Sequence, residues 1–166
     1  MARTRQIVYV DTMVVIEATR TGCWTSLLNR FDVRTVSTVH LETQQGNRRI
    51  KSYVEVDAAL FCEKVRVENV SAEDVLRAQA RTTAMAGLDA GERDLLALVA
   101  RQSPSAWLVT TADRAAVRAA CGLGFSERLK ALEALATECG LKPDLNQWFT
   151  KHWLRAVISQ CLLDSL

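Results

Sequence analysis

Two apolar runs in the chain lead into an aspartate: Q-I-V-Y-V-D-T at residues 6–12 and A-W-L-V-T-T-A-D at residues 106–113. Each run is short, rich in branched and aromatic side chains, and typical of a buried β-strand. Asp11 directly follows the first run, and Asp113 lies just past the second. The sequence therefore predicts two buried strands, each with an acid at its carboxyl end.

Helical and strand-like patterns alternate along the rest of the chain. Further strands are predicted at residues 33–36 and 65–70. The predicted helices cover residues 12–20, 38–45, 54–62, 71–85, 89–101, 114–120, 126–139 and 145–163. This alternation implies an α/β fold of three α/β/α layers with a central parallel sheet, in which ligands bind beyond the carboxyl ends of the strands. We expect one domain over residues 1–166, with a core at about 6–124 and a helical C-terminal extension at about 125–166.

The composition excludes several classes of protein. The net charge of +2 across 166 residues is too small to indicate nucleic-acid binding by itself. The five cysteines are scattered without a C-x-x-C pair, which argues against a zinc motif and indicates reduced, mostly buried thiols. Asp11 interrupts the N-terminal apolar stretch, and no segment reaches the roughly 20 apolar residues of a membrane span. We expect a soluble, cytoplasmic protein that does not associate with membranes.

The two strand-end aspartates have two possible roles. Each could cap the helix that follows its strand. Because the strands belong to one sheet, Asp11 and Asp113 could also converge on a shared site. Thr12, Thr110 and Thr111 lie beside them, and hydroxyls at these positions could hold a carboxylate or orient a water molecule.

Three further acids lie on predicted helices. Glu42, in S-T-V-H-L-E-T, is close to the buried side of its helix, although an ordinary surface glutamate remains the alternative. Glu92 and Asp94 lie in L-D-A-G-E-R-D-L-L, where Asp89 and Glu92 have the spacing of a capping box. Capping and a role in a shared site are compatible for Glu92, because a helix N-terminus can direct its acid into a cavity.

Such a set of acids suits a hard divalent cation. Mg²⁺ and Mn²⁺ prefer carboxylate oxygens and water as ligands. Clustered carboxylates repel one another unless a cation neutralises them. A metal held in this way can activate water and stabilise charge on a phosphodiester.

With these acids identified, the chain resembles the PIN-domain family. The resemblance rests on V-Y-V-D-T, V-S-T-V-H-L-E-T, L-D-A-G-E-R-D-L-L-A-L-V-A and L-V-T-T-A-D, in this order, and covers about residues 6–124. The most specific part is a glycine–glutamate helix start followed, about twenty residues later, by a strand that ends in T-x-D. Each motif is short, and their order and spacing carry the resemblance.

The resemblance implies a metal-dependent endoribonuclease. Asp11, Glu42, Asp113 and one or both of Glu92 and Asp94 would bind Mg²⁺ or Mn²⁺. Water activated by the metal would attack phosphorus and leave a 5′-phosphate and a 3′-hydroxyl. Many small bacterial members of the family act as toxins of type II toxin–antitoxin pairs, so an antitoxin is a possible partner.

One departure from the family pattern affects the ligand assignment. Family members commonly carry an aspartate near the start of the helix that bears the third acid, whereas Glu92 and Asp94 compete for that position here. Side chains two residues apart on a helix do not point the same way. We expect Glu92 to be the ligand and Asp94 to act outside the first coordination sphere.

Contacts with RNA and with a second copy of the chain are also predicted. Arg114, directly after Asp113, and Arg48 with Arg49 could bind phosphates, although arginines on a solvated surface are the alternative for each of them. The apolar face of the last helix predicts core packing or a homodimer interface.

Three rival interpretations remain. A phosphatase of the haloacid-dehalogenase kind needs a second aspartate two residues after the first, where this chain has Met13. A two-component receiver needs an aspartate and a following lysine at positions that do not fit. A catalytically inactive PIN-like module that binds RNA or protein would have lost acids that this chain retains.

Overall fold

The computed structural model describes residues 4–46, 51–103 and 105–166, and at its centre is a four-stranded, fully parallel sheet. The strands are β1 (Ile7–Val10), β2 (Asp32–Val36), β3 (Arg66–Glu68) and β4 (Trp107–Thr110). Their order across the sheet is β3-β2-β1-β4. In register, Val8 lies between Val33 of β2 and Leu108 of β4. The parallel sheet flanked by helices confirms the three-layer α/β/α prediction.

Nine α-helices are formed by the described residues. They are α1 (Thr12–Arg20), α2 (Trp24–Arg30), α3 (Ser37–Gln44), α4 (Ala58–Lys64), α5 (Ala72–Arg81), α6 (Ala90–Ala100), α7 (Arg114–Gly122), α8 (Leu132–Glu138) and α9 (Lys151–Leu163). Short 3₁₀ segments cover Thr83–Gly87, Ser126–Arg128 and Gln147–Phe149. In the described ranges, no helix is long and apolar enough to cross a membrane.

Each face of the sheet packs against its own apolar core, because successive side chains of a strand point to opposite faces. Val8 and Val10 of β1 belong to the core that contains buried side chains of α1, α2, α4 and α8. Tyr9 and Val109 belong to the core that contains side chains of α5, α6, α7 and α9. Burial of these two faces supplies the hydrophobic stabilisation that holds the layers together.

The segment after residue 124 contributes to both cores. Leu129 forms an isolated parallel bridge with Val109 at the free edge of β4, and the Lys130 N–H donates to the Val109 carbonyl at 2.9 Å. Leu132 and Leu135 of α8 then pack in one core, and Leu154 of α9 packs in the other. The C-terminal helices therefore cover both faces of the sheet.

Several predicted helix boundaries were wrong for local reasons. The helix α2, which has no side-chain cap, was not predicted. Asp57 caps α4, so this helix begins at residue 58 rather than 54. The predicted helix at 126–139 is divided by the bridge at Leu129, and the predicted helix at 145–163 begins only after the cap Thr150. The helix predicted at 71–85 ends at Arg81, where the next residue is extended.

The order of the strands locates the place where a ligand would bind. The chain passes from β1 to β2 on one side and returns later to β4 on the other side of β1. Connections therefore leave β1 and β4 in opposite directions, and a crevice opens beyond the carboxyl ends of these two strands. Asp11 and Asp113 follow those ends.

Candidate active site

Asp11 is buried at the end of β1, with only 3% of its surface exposed. Its Oδ1 accepts a hydrogen bond from the Val14 N–H at 2.9 Å and so caps α1. Its Oδ2 accepts a hydrogen bond from the Thr111 hydroxyl. The capping role considered from the sequence is therefore real, but it uses only one of the two carboxylate oxygens.

Thr111 connects the two strand-end aspartates. Besides donating to Asp11, its hydroxyl oxygen accepts from the Asp113 N–H at 3.2 Å. Asp113 itself caps α7, because its Oδ1 accepts from the Ala116 N–H at 2.8 Å. The polar residues after β1 and β4 thus form one hydrogen-bonded unit.

Glu42 reaches the same place from α3. The Thr12 hydroxyl, at the start of α1, donates to Oε2 of Glu42. The Glu42 carboxylate also lies against Gly91 in the first turn of α6. Its position is thus set by contacts with two other helices.

Asp11 and Glu42 line a small cavity of about 180 Å³, whereas Asp113 is not among its lining residues. It is lined by Asp11, Thr12, Met13, Glu42, Asp89 and Glu92. Within the described ranges, no lysine or arginine lines the cavity, and Asp11, Glu42 and Glu92 form no ion pair. Four acids therefore line one cavity, with no cationic side chain among the described lining residues.

The pKa values of two of these acids, Asp11 and Glu92, are raised. Burial raises the pKa of Asp11 to about 6, and the charge of Asp113 adds to the rise against hydrogen bonds from Thr111 and Val14. Burial, with the charges of Asp113 and Asp11, raises the pKa of Glu92 to about 7. Full ionisation of the cluster therefore costs free energy, and a bound cation would offset that cost.

Glu92 has both of the roles considered from the sequence. Its Oε2 accepts from the Asp89 N–H at 3.4 Å, a long bond that belongs to a capping box at the start of α6. The same carboxylate lines the cavity. Since the capping bond is at the weak end of hydrogen-bond geometry, it leaves the carboxylate available for a ligand.

Asp94, the competing acid, lies outside the lining of the cavity. Its Oδ2 accepts from the Thr38 hydroxyl, and Arg93 pairs with its Oδ1 at 3.1 Å. Both of its oxygens are therefore already engaged. The structure brings Glu92, and not Asp94, to the cavity shared with Asp11 and Glu42.

The other predicted site residues have varied positions. The buried hydroxyl of Thr110 has no hydrogen-bond partner among the described residues. Arg114 is exposed at the start of α7, next to Asp113. Arg48 and Arg49 lie outside the described residues.

The residues present fit a hydrated divalent cation. In the described part of the chain, no three carboxylate, imidazole or thiol side chains are grouped tightly enough to hold one ion together. The donors are nevertheless hard carboxylate oxygens around an uncompensated cavity. Mg²⁺ commonly keeps several waters and uses only one or two carboxylates directly, so this looser arrangement matches its coordination.

Sequence reasoning missed three residues of the site. The sequence indicates only a capping role for Asp89 and only a motif position for Gly91. Met13 serves there only to argue against a phosphatase of the haloacid-dehalogenase kind. Asp89 and Met13 line the cavity, and Gly91 contacts Glu42. A signal existed for Gly91, since glycine is unfavourable within a helix and its presence there indicates close approach of another group.

Comparisons with known proteins identify no relative of this chain. No family model, no curated protein and no solved structure matches it. The resemblance to the PIN-domain family therefore stays a prediction from sequence motifs.

Proposed function

We propose that the protein is a Mg²⁺- or Mn²⁺-dependent endoribonuclease. The observation that carries the proposal is the cavity beyond β1 and β4, where Asp11, Glu42 and Glu92 meet and where the described lining contains no cationic side chain. Burial, and then the charges of Asp113 and Asp11, raise the pKa of Glu92 to about 7. A cluster of this kind at the switch point of a parallel sheet suits a metal-dependent active site.

The residues of the cluster would have distinct roles in binding the metal. Asp11, Glu42 and Glu92 would hold the metal directly or through water, and Asp113 would add negative charge from the end of β4. Thr111 and Thr12 fix the orientation of Asp11 and Glu42 by hydrogen bonds. When bound, the metal supplies the Lewis acidity that hydrolysis of a phosphodiester needs.

Asp94 would act at a distance from the metal. It is bonded to Thr38 and Arg93, and so it ties α6 to α3 and fixes the helix that carries Glu92. This supports the assignment of Glu92 as the ligand and of Asp94 as a helper outside the first coordination sphere.

RNA is the substrate that the sequence motifs favour. Arg114 is exposed directly after Asp113 and is suitably placed to contact a backbone phosphate. A homodimer, an antitoxin partner and a cytoplasmic location stay predictions from the sequence.

The test is cleavage of end-labelled single-stranded RNA, beside DNA of the same sequence, with Mg²⁺, Mn²⁺ or EDTA. The decisive variant is Asp11→Asn, and its matched control is Asp57→Asn. Asp57 also caps a helix, by accepting from Leu60 at 2.9 Å, but does so outside the cavity. Asparagine caps a helix about as well as aspartate, so both variants should fold.

The proposal predicts that RNA is cut only with metal, that Asp11→Asn abolishes the cutting, and that Asp57→Asn cuts like wild type. Cutting of DNA alone would remove the ribonuclease assignment. Absence of cutting in a protein that binds neither Mg²⁺ nor Mn²⁺ would remove the nuclease and favour a module that binds RNA or protein.

A further inference from the structure

We infer that Gly91 is a positioning residue: its lack of a side chain creates the space in which the Glu42 carboxylate reaches the cavity. Gly91 is buried in the first turn of α6, next to Glu92. It carries no functional group, so its role is to set where another group can lie.

The distances at Gly91 show how little space remains. A Cβ atom added there would lie 2.6 Å from Oε2 of Glu42 and 2.9 Å from Oε1. Both distances are far below van der Waals contact. The third nearest atom, the carboxyl carbon at 3.0 Å, also belongs to Glu42. Any larger residue at position 91 would therefore displace this carboxylate before it met anything else.

The backbone at this position does not require glycine. The glycines with positive φ are Gly22, Gly124 and Gly140, and each can be explained by its turn. Gly91 has ordinary helical geometry, where alanine would be the better helix former. The close approach of Glu42 is the feature that explains a glycine here.

The close contact with Gly91 is one of two contacts that fix the position of the Glu42 carboxylate. The second is the hydrogen bond from the Thr12 hydroxyl of α1 to Oε2. The carboxylate is thus held between α1 and α6 while its backbone belongs to α3. Because the displaced atoms lie at the end of a flexible side chain, an added methyl group should move Glu42 without unfolding α6.

A glutamate at position 42 should therefore require glycine at position 91, and a shorter acid at position 42 should tolerate alanine there. A methyl group at position 91 pushes the carboxylate of a glutamate out of place, whereas an aspartate at position 42 is shorter by one methylene and withdraws from it. The consequence for metal binding rests on the proposed function, but the displacement of Glu42 does not.

The experiment measures Mn²⁺ affinity by calorimetry, with crystal structures of the same variants. The variants are Gly91→Ala, Glu42→Asp, their combination, and the control Gly87→Ala. A Cβ at Gly87 would meet nothing within 4 Å, and this residue is exposed outside the cavity. Melting temperatures show that each variant is folded.

We expect Gly91→Ala to weaken Mn²⁺ binding by about 10–100-fold, as loss of a supporting contact does at metal sites. Its melting temperature should stay the same or rise, and Gly87→Ala should bind like wild type. The combination should bind more tightly than Gly91→Ala alone, because the shorter acid fits beside the methyl group. A purely structural role for Gly91 would produce no such rescue.

Wild-type affinity in Gly91→Ala, with Glu42 in its original place, would overturn the inference. If the wild-type protein binds no divalent ion, the proposed function fails, and the crystal structure of Gly91→Ala still decides the positioning role. Displacement of Glu42 and loss of its bond to Thr12 would support that role, and an unmoved carboxylate would refute it.

Discussion

The helix α1 carries two buried acids with opposite electrostatic surroundings. Asp11 caps its start, and Glu17 lies one and a half turns later, with only 4% of its surface exposed. Between them in the chain, Val14 and Val15 belong to the apolar core that contains Val8 and Val10 of β1. Among the residues that the structure describes, Arg20 pairs with Glu17 and no cation pairs with Asp11.

Glu17 has a complete set of partners. Arg20 donates to both of its oxygens, at 2.7 and 2.8 Å, and the Asn146 N–H donates to Oε1 at 2.7 Å. Burial alone would raise the pKa of Glu17, but Arg20 and Asn146 together lower it below its ordinary value. Arg20 also donates to the Asp144 carbonyl, so the network joins α1 to the segment before α9.

Asp11 accepts hydrogen bonds from Val14 and Thr111 but, among the described residues, has no cation beside it. Its pKa rises to about 6, and that of Glu92 across the cavity rises to about 7. A buried acid with its own cation is a structural element, whereas buried acids without one form a site that a metal ion can complete.

The largest predicted effect on RNA cleavage and stability follows from neutralising Asp11. We expect Asp11→Asn to reduce RNA cleavage by more than about 100-fold, since even supporting residues at metal sites contribute 10–100-fold. At pH 8 the same change should stabilise the metal-free protein by about 1–3 kcal/mol, because it removes a buried, uncompensated charge. Cleavage assays measure the first effect, and denaturant unfolding in EDTA measures the second. A loss of stability in Asp11→Asn would contradict the claim that Asp11 carries an uncompensated charge.

Thr111→Val should produce the next largest effect. It removes the donor to Asp11 and the acceptor for the Asp113 N–H, so we expect Mn²⁺ affinity to fall by about 10–100-fold. Thr19→Val is the control, because its hydroxyl bonds only to the Val15 carbonyl within α1. Calorimetric titration of both variants tests this, and equal affinities would remove Thr111 from the site.

Neutralising Glu17 should lower the stability of the protein and leave its Mn²⁺ affinity unchanged. We expect Glu17→Gln to destabilise the protein by about 1.5–3 kcal/mol, through loss of hydrogen bonds to a buried charged group. Its Mn²⁺ affinity should match that of wild type, because Glu17 does not line the cavity. Urea unfolding and metal titration of the same sample measure the two quantities, and weakened metal binding would show that the two acids are not independent.

The pH dependence of stability should be smaller but opposite for the two acids. Because the pKa values of Asp11 and Glu92 are raised in the folded state, the metal-free protein holds more protons than the unfolded chain between about pH 4 and 7. The free energy of unfolding therefore falls as pH rises through this window. The contribution of Glu17 is present above about pH 4.5 and is lost as pH falls below it.

Melting temperatures at pH 5.5 and pH 8 test this, at roughly 2–4 °C per kcal/mol for a chain of this size. In EDTA the melting temperature should be lower at pH 8, and saturating Mg²⁺ should remove most of the fall. A fall of the same size in Glu92→Gln and Asp11→Asn would show that other groups cause it.

The sequence was sufficient to predict the sheet and the acids at its edge. The apolar runs before Asp11 and Asp113 predicted β1 and β4, and the capping-box spacing of Asp89 and Glu92 located the start of α6. These features depend on neighbouring residues, which a single sequence displays directly. The three-layer arrangement followed from the alternation of strands and helices.

What the sequence could not provide was contact between distant segments. The hydrogen bond that holds Asp94 away from the cavity comes from Thr38, which lies 56 residues before Asp94. The division of the helix predicted at 126–139 depends on a bond to Val109. Likewise, Glu17 resembles any helical surface acid until Asn146, 129 residues later, is placed beside it.

The most direct test of the account is calorimetric titration of wild type and Glu92→Gln with Mn²⁺ at pH 7, in buffers of different ionisation enthalpy. If the cavity is a cation site, wild type binds Mn²⁺ and releases protons, because the cation displaces the proton that Glu92 partly holds at its pKa of about 7. In Glu92→Gln, binding is weaker and most of the proton release is lost. Absence of binding by wild type at millimolar Mn²⁺ or Mg²⁺, or proton release that is unchanged in Glu92→Gln, would contradict the claim that these acids form a metal site.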